Sequence, residues 1–328
     1  MRGRAWLKGV MAAAIVSAGA LASAQVVGSV NGSALGAMAF HEDSRSAFLQ
    51  HQAGQGDADL ALASRALAFS TTTNVQRLAE LGVVAADWAQ QLPHHAAPTI
   101  SPVVFIVRAG NPRGVHDWAD LVRRDVALVL SNPKHCNTGR YAYFGAWGSV
   151  LDAGGSAAQA EDFVAALFGQ AQLVARSERE AVSAFAAGGA GDVLVAFESE
   201  IPAIRARSGA QALQVVYPPV SVAAENAVAL SSNDAGASRL AKAYLDYLYS
   251  DEAQEIAARH YLRPRSAAVL ARHADRYQAL KLFSVQQHFG SLERASREHF
   301  ADGGRFDQLY APRSEQWAAR AKERAAAL

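Results

Sequence analysis

The sequence has very little cysteine: Cys136 is the only one in 328 residues. An intrachain disulfide is therefore impossible, and the fold has to depend on its hydrophobic core. Charge of one sign is also lacking, because 31 basic and 30 acidic residues leave a net charge of +1. With no large electric field and no basic run, neither nucleic acid nor an anionic membrane surface is an expected partner.

Signatures of catalysis and of metal binding are absent as well. There is no Gly-x-Ser-x-Gly elbow and no phosphate-binding P-loop. The His94-His95 pair has no further His or Cys at a ligand spacing, and His41-Glu42 lacks the second histidine of a zinc helix. We therefore predict that the protein is not an enzyme and has no catalytic residue, no metal ligand and no cofactor.

Long hydrophobic runs are missing, and even the amino-terminal one is short. Basic residues precede the apolar run Gly9–Leu21, which is too short to span a bilayer, and Ala22-Ser23-Ala24 is typical of a cleavage site. We expect residues 1–24 to be a cleaved signal peptide, so that the mature protein is periplasmic. A hydrophobic fraction of 51% indicates an ordered protein, and its length allows two domains.

One stretch, Val126–Trp147, predicts a binding site. Val126–Leu130 is typical of a buried strand, and Ser131-Asn132-Pro133 ends it. Small polar residues follow at Cys136–Gly139, and aromatic residues then recur at helical spacing. A strand, a polar loop and a helix start together direct backbone N–H groups and a positive dipole end at one point, which attracts an anion.

Strands and helices alternate over most of the chain. Pro102–Arg108 and Gly191–Glu198 are typical of buried strands, whereas Val75–Leu81 and Glu161–Phe168 are typical of helices. This alternation predicts an α/β protein with mainly parallel or mixed sheets, in which ligands bind at the carboxyl ends of strands. Residues 25–55 are weakly periodic, and we expect a short strand at Ala37–Phe40.

The same stretch resembles the anion loop of the periplasmic sulfate/thiosulfate-binding proteins, which deliver anions to ABC importers. The matching strings are Asn132-Pro133-Lys134, Gly139-Arg140 and Ala146-Trp147-Gly148. Further strings in the same order carry the resemblance over Asp57–Gln308: the Val-Arg-x-Gly-Asn-Pro text at 107–112, His-Asp-Trp-x-Asp-Leu at 116–121, Tyr-x-Arg-Pro-Arg at 261–265 and His-Phe-x-x-Gly-Gly-x-Phe-Asp at 299–307.

The resemblance implies a type II periplasmic binding protein fold, with two lobes and a cleft between them. Lobe 1 would be discontinuous, comprising residues 25–104 and 220–328, and lobe 2 would comprise residues 105–219. Lobe 1 lacks about one strand–helix unit relative to the family. The implied partners are a small inorganic oxyanion, sulfate or thiosulfate, and the ABC permease subunits of the inner membrane, with the binding protein acting as a monomer.

The implied ligand-binding residues depart from the family pattern. Cys136, Asn137 and Thr138, followed by Gly139, stand where the family has Ser-Gly-Gly-Ala. A thiol donates weakly, and a β-branched residue such as Thr138 tolerates positive φ poorly. Two further implied site residues also differ: Phe197 replaces an indole donor, and Glu178 aligns with the Gly-Ala-Arg-Gly-Ser donor loop, where its carboxylate would either repel sulfate or face solvent.

Several alternatives stay open from the residues. Ser44 is the remaining candidate hydroxyl of the shortened segment: His41–Arg45 is either a form of the family's Tyr-Asp-x-Thr-Arg turn, or Asp43–Ser46 replaces its Gly-Gly-Ser-Gly-Lys loop. Cys136 is either a ligand donor or a small buried filler. Arg140 either contacts the anion or pairs with a carboxylate.

Two functions from different classes follow. The first is an extracytoplasmic solute-binding protein that captures sulfate or thiosulfate for an ABC importer. The second is a non-transporting or degenerate descendant of the family that acts as an interaction or sensor protein.

Overall fold

The computed structural model describes residues 35–51, 67–187, 189–209, 212–231 and 238–310. The predicted signal peptide at 1–24 lies outside these ranges. Within them, no helix has both the length and the apolar composition needed to cross a bilayer.

Helices surround the sheet on both sides. They are α1 (Leu35–His51), α2 (Thr72–Glu80), α3 (Pro93–Ala96), α4 (Asn137–Asp152), α5 (Ala157–Gln170), α6 (Glu178–Ala186), α7 (Ile201–Ser208), α8 (Ser238–Tyr247), α9 (Asp251–Arg259), α10 (Ala267–Arg272), α11 (Val285–Phe289) and α12 (Leu292–Phe300). Short 3-10 turns occupy Trp88–Gln90, Trp118–Val122 and Glu198–Glu200.

The strands are β1 (Leu67–Thr71), β2 (Thr99–Arg108), β3 (Leu128–Ser131), β4 (Leu173–Ala175), β5 (Val193–Phe197), β6 (Leu213–Val216), β7 (Val220–Leu230), β8 (Arg263–Pro264) and β9 (Lys281–Phe283). They form a nine-stranded sheet with the main order β1-β7-β2-β5-β3-β4. Strand β3 pairs in parallel with β4 and β5, whereas β2 pairs antiparallel with β7 and β5. The predicted α/β fold with a mixed sheet is thus confirmed.

The long strand β2 changes partner in its middle. Residues 99–102 pair with β7, and residues 103–107 pair with β5. Strand β2 therefore joins the β7 side of the sheet to the β5 side without a break. The division into lobes at 104/105 and 219/220 stays a prediction.

Helix α4 is the most enclosed helix near the predicted anion loop, and its packing fixes the direction of its first turn. Tyr143 is fully buried, and its hydroxyl lies 2.7 Å from Nδ1 of His299. The ring of Phe144 packs on Phe289 with 4.7 Å between centroids. A Cβ at Gly148 would lie 2.1 Å from the ring of Phe283, so only glycine allows this close approach.

The strand expected at Ala37–Phe40 is wrong, because these residues belong to α1. Phe40 and Phe48 are both buried, against Tyr244 and Leu248 among others. Their spacing of eight residues is a helical repeat, which places both rings on one face. The strands expected at Pro102–Arg108 and Gly191–Glu198 are confirmed as β2 and β5, with small differences at the ends.

Candidate functional site: the start of helix α4

Helix α4 begins at the carboxyl end of β3, and its start has no cap of its own. Its N-cap residue, Cys136, has extended backbone angles of φ −142° and ψ 136°, and its side chain makes no hydrogen bond to the helix. Among the described residues, the amides of Thr138 and Gly139 have no hydrogen-bond acceptor. The first turn contains no acidic residue. Two N–H groups and the positive end of the helix dipole therefore remain for another partner.

The close approach of α4 to β3 explains Gly139. A Cβ at this position would lie 2.2 Å from the backbone oxygen of Ser131 and 2.8 Å from the backbone carbon of Asn132. Any side chain would therefore push the helix away from the strand end. Asn137 and Thr138 do not have positive φ, since both are already in the helix. The non-glycine residues of this loop are thus accommodated without backbone strain.

The Thr138 side chain reaches the start of a second helix, α6. Its hydroxyl donates to Oε2 of Glu178 at 3.0 Å and lies 3.5 Å from Oε1 of Glu200. The other oxygen of Glu200 accepts a hydrogen bond from the amide of Phe197 at 3.0 Å. The glutamate that aligns with the family's donor loop thus directs its carboxyl group towards the start of α4, not into solvent.

Burial favours the protonated form of Glu200. Glu200 is only 1% exposed, and desolvation followed by the neighbouring charge of Glu178 raises its pKa well above the usual range. The turn that carries Glu200 is held by a buried ion pair, because Glu198 accepts from Nε and Nη2 of Arg263 at 2.7 and 2.9 Å. Glu200 therefore has little freedom to move away from Glu178 into water.

The start of helix α2 faces the start of α4. Its N-cap residue, Thr71, also accepts no hydrogen bond from a backbone amide of the helix, and its hydroxyl instead lies 3.0 Å from that of Thr73. The hydroxyl of Thr72 lies 3.2 Å from that of Tyr141, and all three side chains are buried. Two helix starts without caps therefore meet at one place.

Arg140 places a positive charge between these two helix starts. Its Nη1 donates to Oδ1 of Asn74 at 3.4 Å, and its guanidinium lies 5.2 Å from the ring centre of Phe300. Its Nε is buried and has no partner in the described part of the chain, where Arg140 also makes no ion pair. Burial, with a smaller contribution from Arg77, lowers the pKa of Arg140. The expectation that Arg140 pairs with a carboxylate is not met here.

Ser44 and Phe197 take different places from the loop residues. Ser44 lies inside α1, so its amide is committed to the helix, and its hydroxyl is fully buried without a partner among the described residues. Helix α1 packs against residues 198–200. Phe197 ends β5, and its ring packs on Tyr141 at 5.7 Å.

The structure therefore brings Thr138, Gly139 and Glu178 together, with Phe197 joined through its amide. Cys136 is half-buried beside them as a free thiol. No described contact joins Ser44 to this group. Sequence reasoning missed Glu200 and the threonine run at 71–73. A strand followed directly by three threonines was an available signal for the second helix start.

Comparisons with known proteins identify the family of this chain. Residues 37–263 match the family of bacterial extracellular solute-binding proteins. The chain is 44% identical to the thiosulfate-binding protein of Pseudomonas aeruginosa over 250 residues, which cover 75% of each chain. It is 39% identical to the sulfate-binding protein of Escherichia coli K12 over 240 residues, 72% of this chain and 73% of the relative.

Among solved structures, the sulfate-binding protein of Mycobacterium tuberculosis is similar, with a TM-score of 0.64 at 28% identity, covering 80% of this chain and 86% of that one. A Bordetella ferric binding protein, at 17% identity and a TM-score of 0.52, shows the same α/β periplasmic binding protein fold. Proteins of this family bind solutes and are not enzymes. The chain belongs to the sulfate/thiosulfate-binding family of bacterial extracellular solute-binding proteins.

Proposed function

We propose that this protein captures sulfate or thiosulfate outside the cytoplasmic membrane and delivers it to an ABC importer. The observation that carries the proposal is the start of α4, where the Thr138 and Gly139 amides have no acceptor among the described residues. The names of the relatives, sulfate-binding and thiosulfate-binding proteins, support the choice of anion.

The physical chemistry of the site fits a doubly charged oxyanion. Sulfate is fully ionised near neutral pH, so it accepts hydrogen bonds and donates none. Backbone N–H groups at a helix start supply donors that are fixed in place before binding. Arg140 adds a positive charge that has no ion-pair partner in the described chain. The site residues we propose are Ser44, Cys136, Asn137, Thr138, Gly139, Glu178 and Phe197, with Arg140 as an added contributor.

The donor set is weaker than the family pattern implies. The side chain of Phe197 has no N–H to offer, its amide already donates to Glu200, and the Thr138 hydroxyl already donates to Glu178. One lost hydrogen bond to an ion is worth about 1.5–3 kcal/mol, or about ten- to a hundred-fold in affinity. We therefore expect weaker binding than a complete donor set would give, with altered choice among anions.

The importer is the second partner. We propose that the closed, anion-bound monomer docks on the permease subunits in the inner membrane, after export through the signal peptide at residues 1–24. No nucleic acid takes part.

Calorimetry and thermal shift test the proposal on the chain from Gln25 onward. Sulfate and thiosulfate should each bind at one site and raise the melting temperature, because a ligand that binds only the folded state stabilises it. Sodium chloride at matched ionic strength is the control, and molybdate and phosphate define the selectivity. Folded protein that shows no saturable heat with any of these oxyanions would remove the proposal, and sub-micromolar sulfate binding would contradict the expected loss of affinity.

A second candidate function has one specific observation in its favour. The Glu178 carboxyl group takes the hydroxyl of Thr138 and brings negative charge to the start of α4. A protein that supplies its own carboxylate at this point would no longer transport and would act as an interaction or sensor protein. Replacing Glu178 by Gln distinguishes the two, because restored anion binding would identify Glu178 as the group that prevents it.

A further inference from the structure

Glu178 belongs to α6, but its carboxyl group contacts the first turn of α4. The only hydroxyl hydrogen of Thr138 is shared between Oε2 of Glu178 at 3.0 Å and Oε1 of Glu200 at 3.5 Å. A threonine hydroxyl donates a single hydrogen bond, so it cannot satisfy two carboxylates at once. Two carboxyl groups on one hydroxyl disfavour double ionisation, and Glu200 is only 1% exposed, so one proton is shared by the pair.

No ion pair in the described chain neutralises the Glu178–Glu200 pair. The groups that face Glu200 are Glu178 from α6 and the Cys136 thiol from α4, and both of them raise its pKa. On its own turn, Glu198 is already paired with Arg263. Two helices pack on the same turn: α1 carries Arg45 and His41, whose pKa burial lowers to about 3, and α7 carries Arg205. Among the described residues, neither arginine forms an ion pair with Glu178 or Glu200, so neither directly offsets a second ionised carboxylate.

An independent feature nearby points to an anionic ligand. The Arg140 guanidinium lies between the first turns of α2 and α4, with a buried Nε that has no partner among the described residues. Its charge is not paired with Glu178 or Glu200, which are both acids of the same site. The site thus contains a positive group, Arg140, and an acidic pair, Glu178 and Glu200, and a bound anion would interact with both.

We propose that Glu178 is a specificity-determining residue that makes anion capture proton-coupled: the oxyanion binds at the start of α4 together with one proton, which the Glu178–Glu200 pair takes up. This inference rests on the proposed function. The proton comes from solvent and adds to a carboxylate oxygen, so that the pair goes from one shared proton to two. The paired acids then carry no net charge beside the dianion.

The coupling has a definite sign. A bound dianion repels the remaining charge of the pair and so favours its protonation. By linkage, the anion must then bind more tightly as the pH falls. If one full proton is taken up, the dissociation constant for sulfate changes by about tenfold per pH unit. Strong acids such as sulfate and thiosulfate keep their own charge in this range, so the change reports on the protein.

The experiment is calorimetric titration of the chain from Gln25 with sodium sulfate, in two buffers of different ionisation enthalpy, at several pH values from 6 to 8. The difference in heat between buffers counts the protons taken up. We expect between about one half and one proton per sulfate in the natural protein. Glu178→Gln should bind sulfate without proton uptake and with an affinity that varies little over this pH range.

Glu180→Gln is the matched control, because Glu180 lies in the same first turn of α6 but accepts from the Arg176 amide at 2.9 Å instead of contacting α4. It should keep the proton uptake of the natural protein. Saturable sulfate binding without proton uptake would overturn this inference and leave the proposed function intact. Absence of binding to the folded natural protein and to Glu178→Gln at every pH would overturn both.

Discussion

Helices α4 and α6 start within hydrogen-bonding distance of each other's side chains, and their starts are built in opposite ways. At α6, the hydroxyl of Ser177 accepts from the Glu180 amide, and Glu178 and Glu180 place negative charge in the first turn. At α4, Cys136 makes no cap and no acidic residue follows in the first turn. The protein thus satisfies the dipole of one helix and leaves the other unsatisfied.

The difference shows which helix start is available to a ligand. Serine also caps α5, α9, α10, α11 and α12, so capping is the general solution in the described chain. Helices α2, α3, α4 and α7 start without a side-chain cap, but α3 and α7 have a proline in the first turn; only α2 and α4 of these four have neither, and the Thr72–Tyr141 contact brings these two together. A feature that is costly for stability and is concentrated at one place is expected at a binding site.

The largest expected effect comes from Gly139→Ala. The new Cβ would lie 2.2 Å from the Ser131 backbone oxygen, so α4 would have to move away from β3. We expect the free energy of unfolding to fall by about 3 kcal/mol or more, measured by denaturant titration. The control is Ser149→Ala on the same helix, which loses only a bond to the Ala146 carbonyl and should change little. Equal stability of the two variants would contradict the packing described for the start of α4.

Replacing Arg140 tests whether the uncapped region depends on its unpaired charge. Arg140→Met should weaken sulfate binding by about ten- to a hundred-fold, since a charged contact is lost. Stability should not fall in the same way, because a half-buried guanidinium without an ion pair in the described chain is replaced by an apolar chain. Arg179→Met, in the exposed first turn of α6, removes the same charge and is the control. An unchanged dissociation constant in Arg140→Met would exclude Arg140 from the site.

Glu200→Gln tests whether the Glu178–Glu200 pair holds a shared proton, through the pH dependence of the free energy of unfolding. Because burial and the charge of Glu178 raise the pKa of Glu200, the folded protein keeps a proton that the unfolded chain releases. The natural protein should therefore lose stability as the pH rises from the usual glutamate range towards that raised pKa. Glu200→Gln should remove this slope and be more stable near pH 8 by about 1–2 kcal/mol, measured by denaturant titration. A natural protein whose stability is flat over this range would contradict the shared proton.

Much of the fold could be predicted from the sequence because its signals are local. The apolar runs at β2 and β5, and the break at Ser131-Asn132-Pro133 before α4, depend on residues that are neighbours in the chain. Helix α1 was mistaken in part for a strand, since its buried face shows only when Phe40 and Phe48 are compared over two turns. Weakly periodic, alanine-rich segments do not reveal this spacing.

Only the α4 loop of the candidate site could be predicted from the sequence. The α4 loop is continuous in the sequence, whereas Glu200 meets Thr138 across 62 residues and Asn74 meets Arg140 across 66. No local pattern specifies such contacts. The direction of the Glu178 side chain was open for the same reason, because a carboxylate in a first helical turn can serve its own helix or a neighbouring one.

The smallest expected effects come from removing the cap of α6 and adding one to α4. Ser177→Ala removes the cap of α6 and should lower the free energy of unfolding by about 1 kcal/mol. Cys136→Ser places a hydroxyl at an N-cap whose backbone is already extended, so it should raise the stability of the anion-free protein by about 0.5–1 kcal/mol. Denaturant titration without sulfate measures both changes. If Cys136→Ser does not raise the free energy of unfolding, the start of α4 does not lack an acceptor. The difference described between the starts of α4 and α6 would then be wrong.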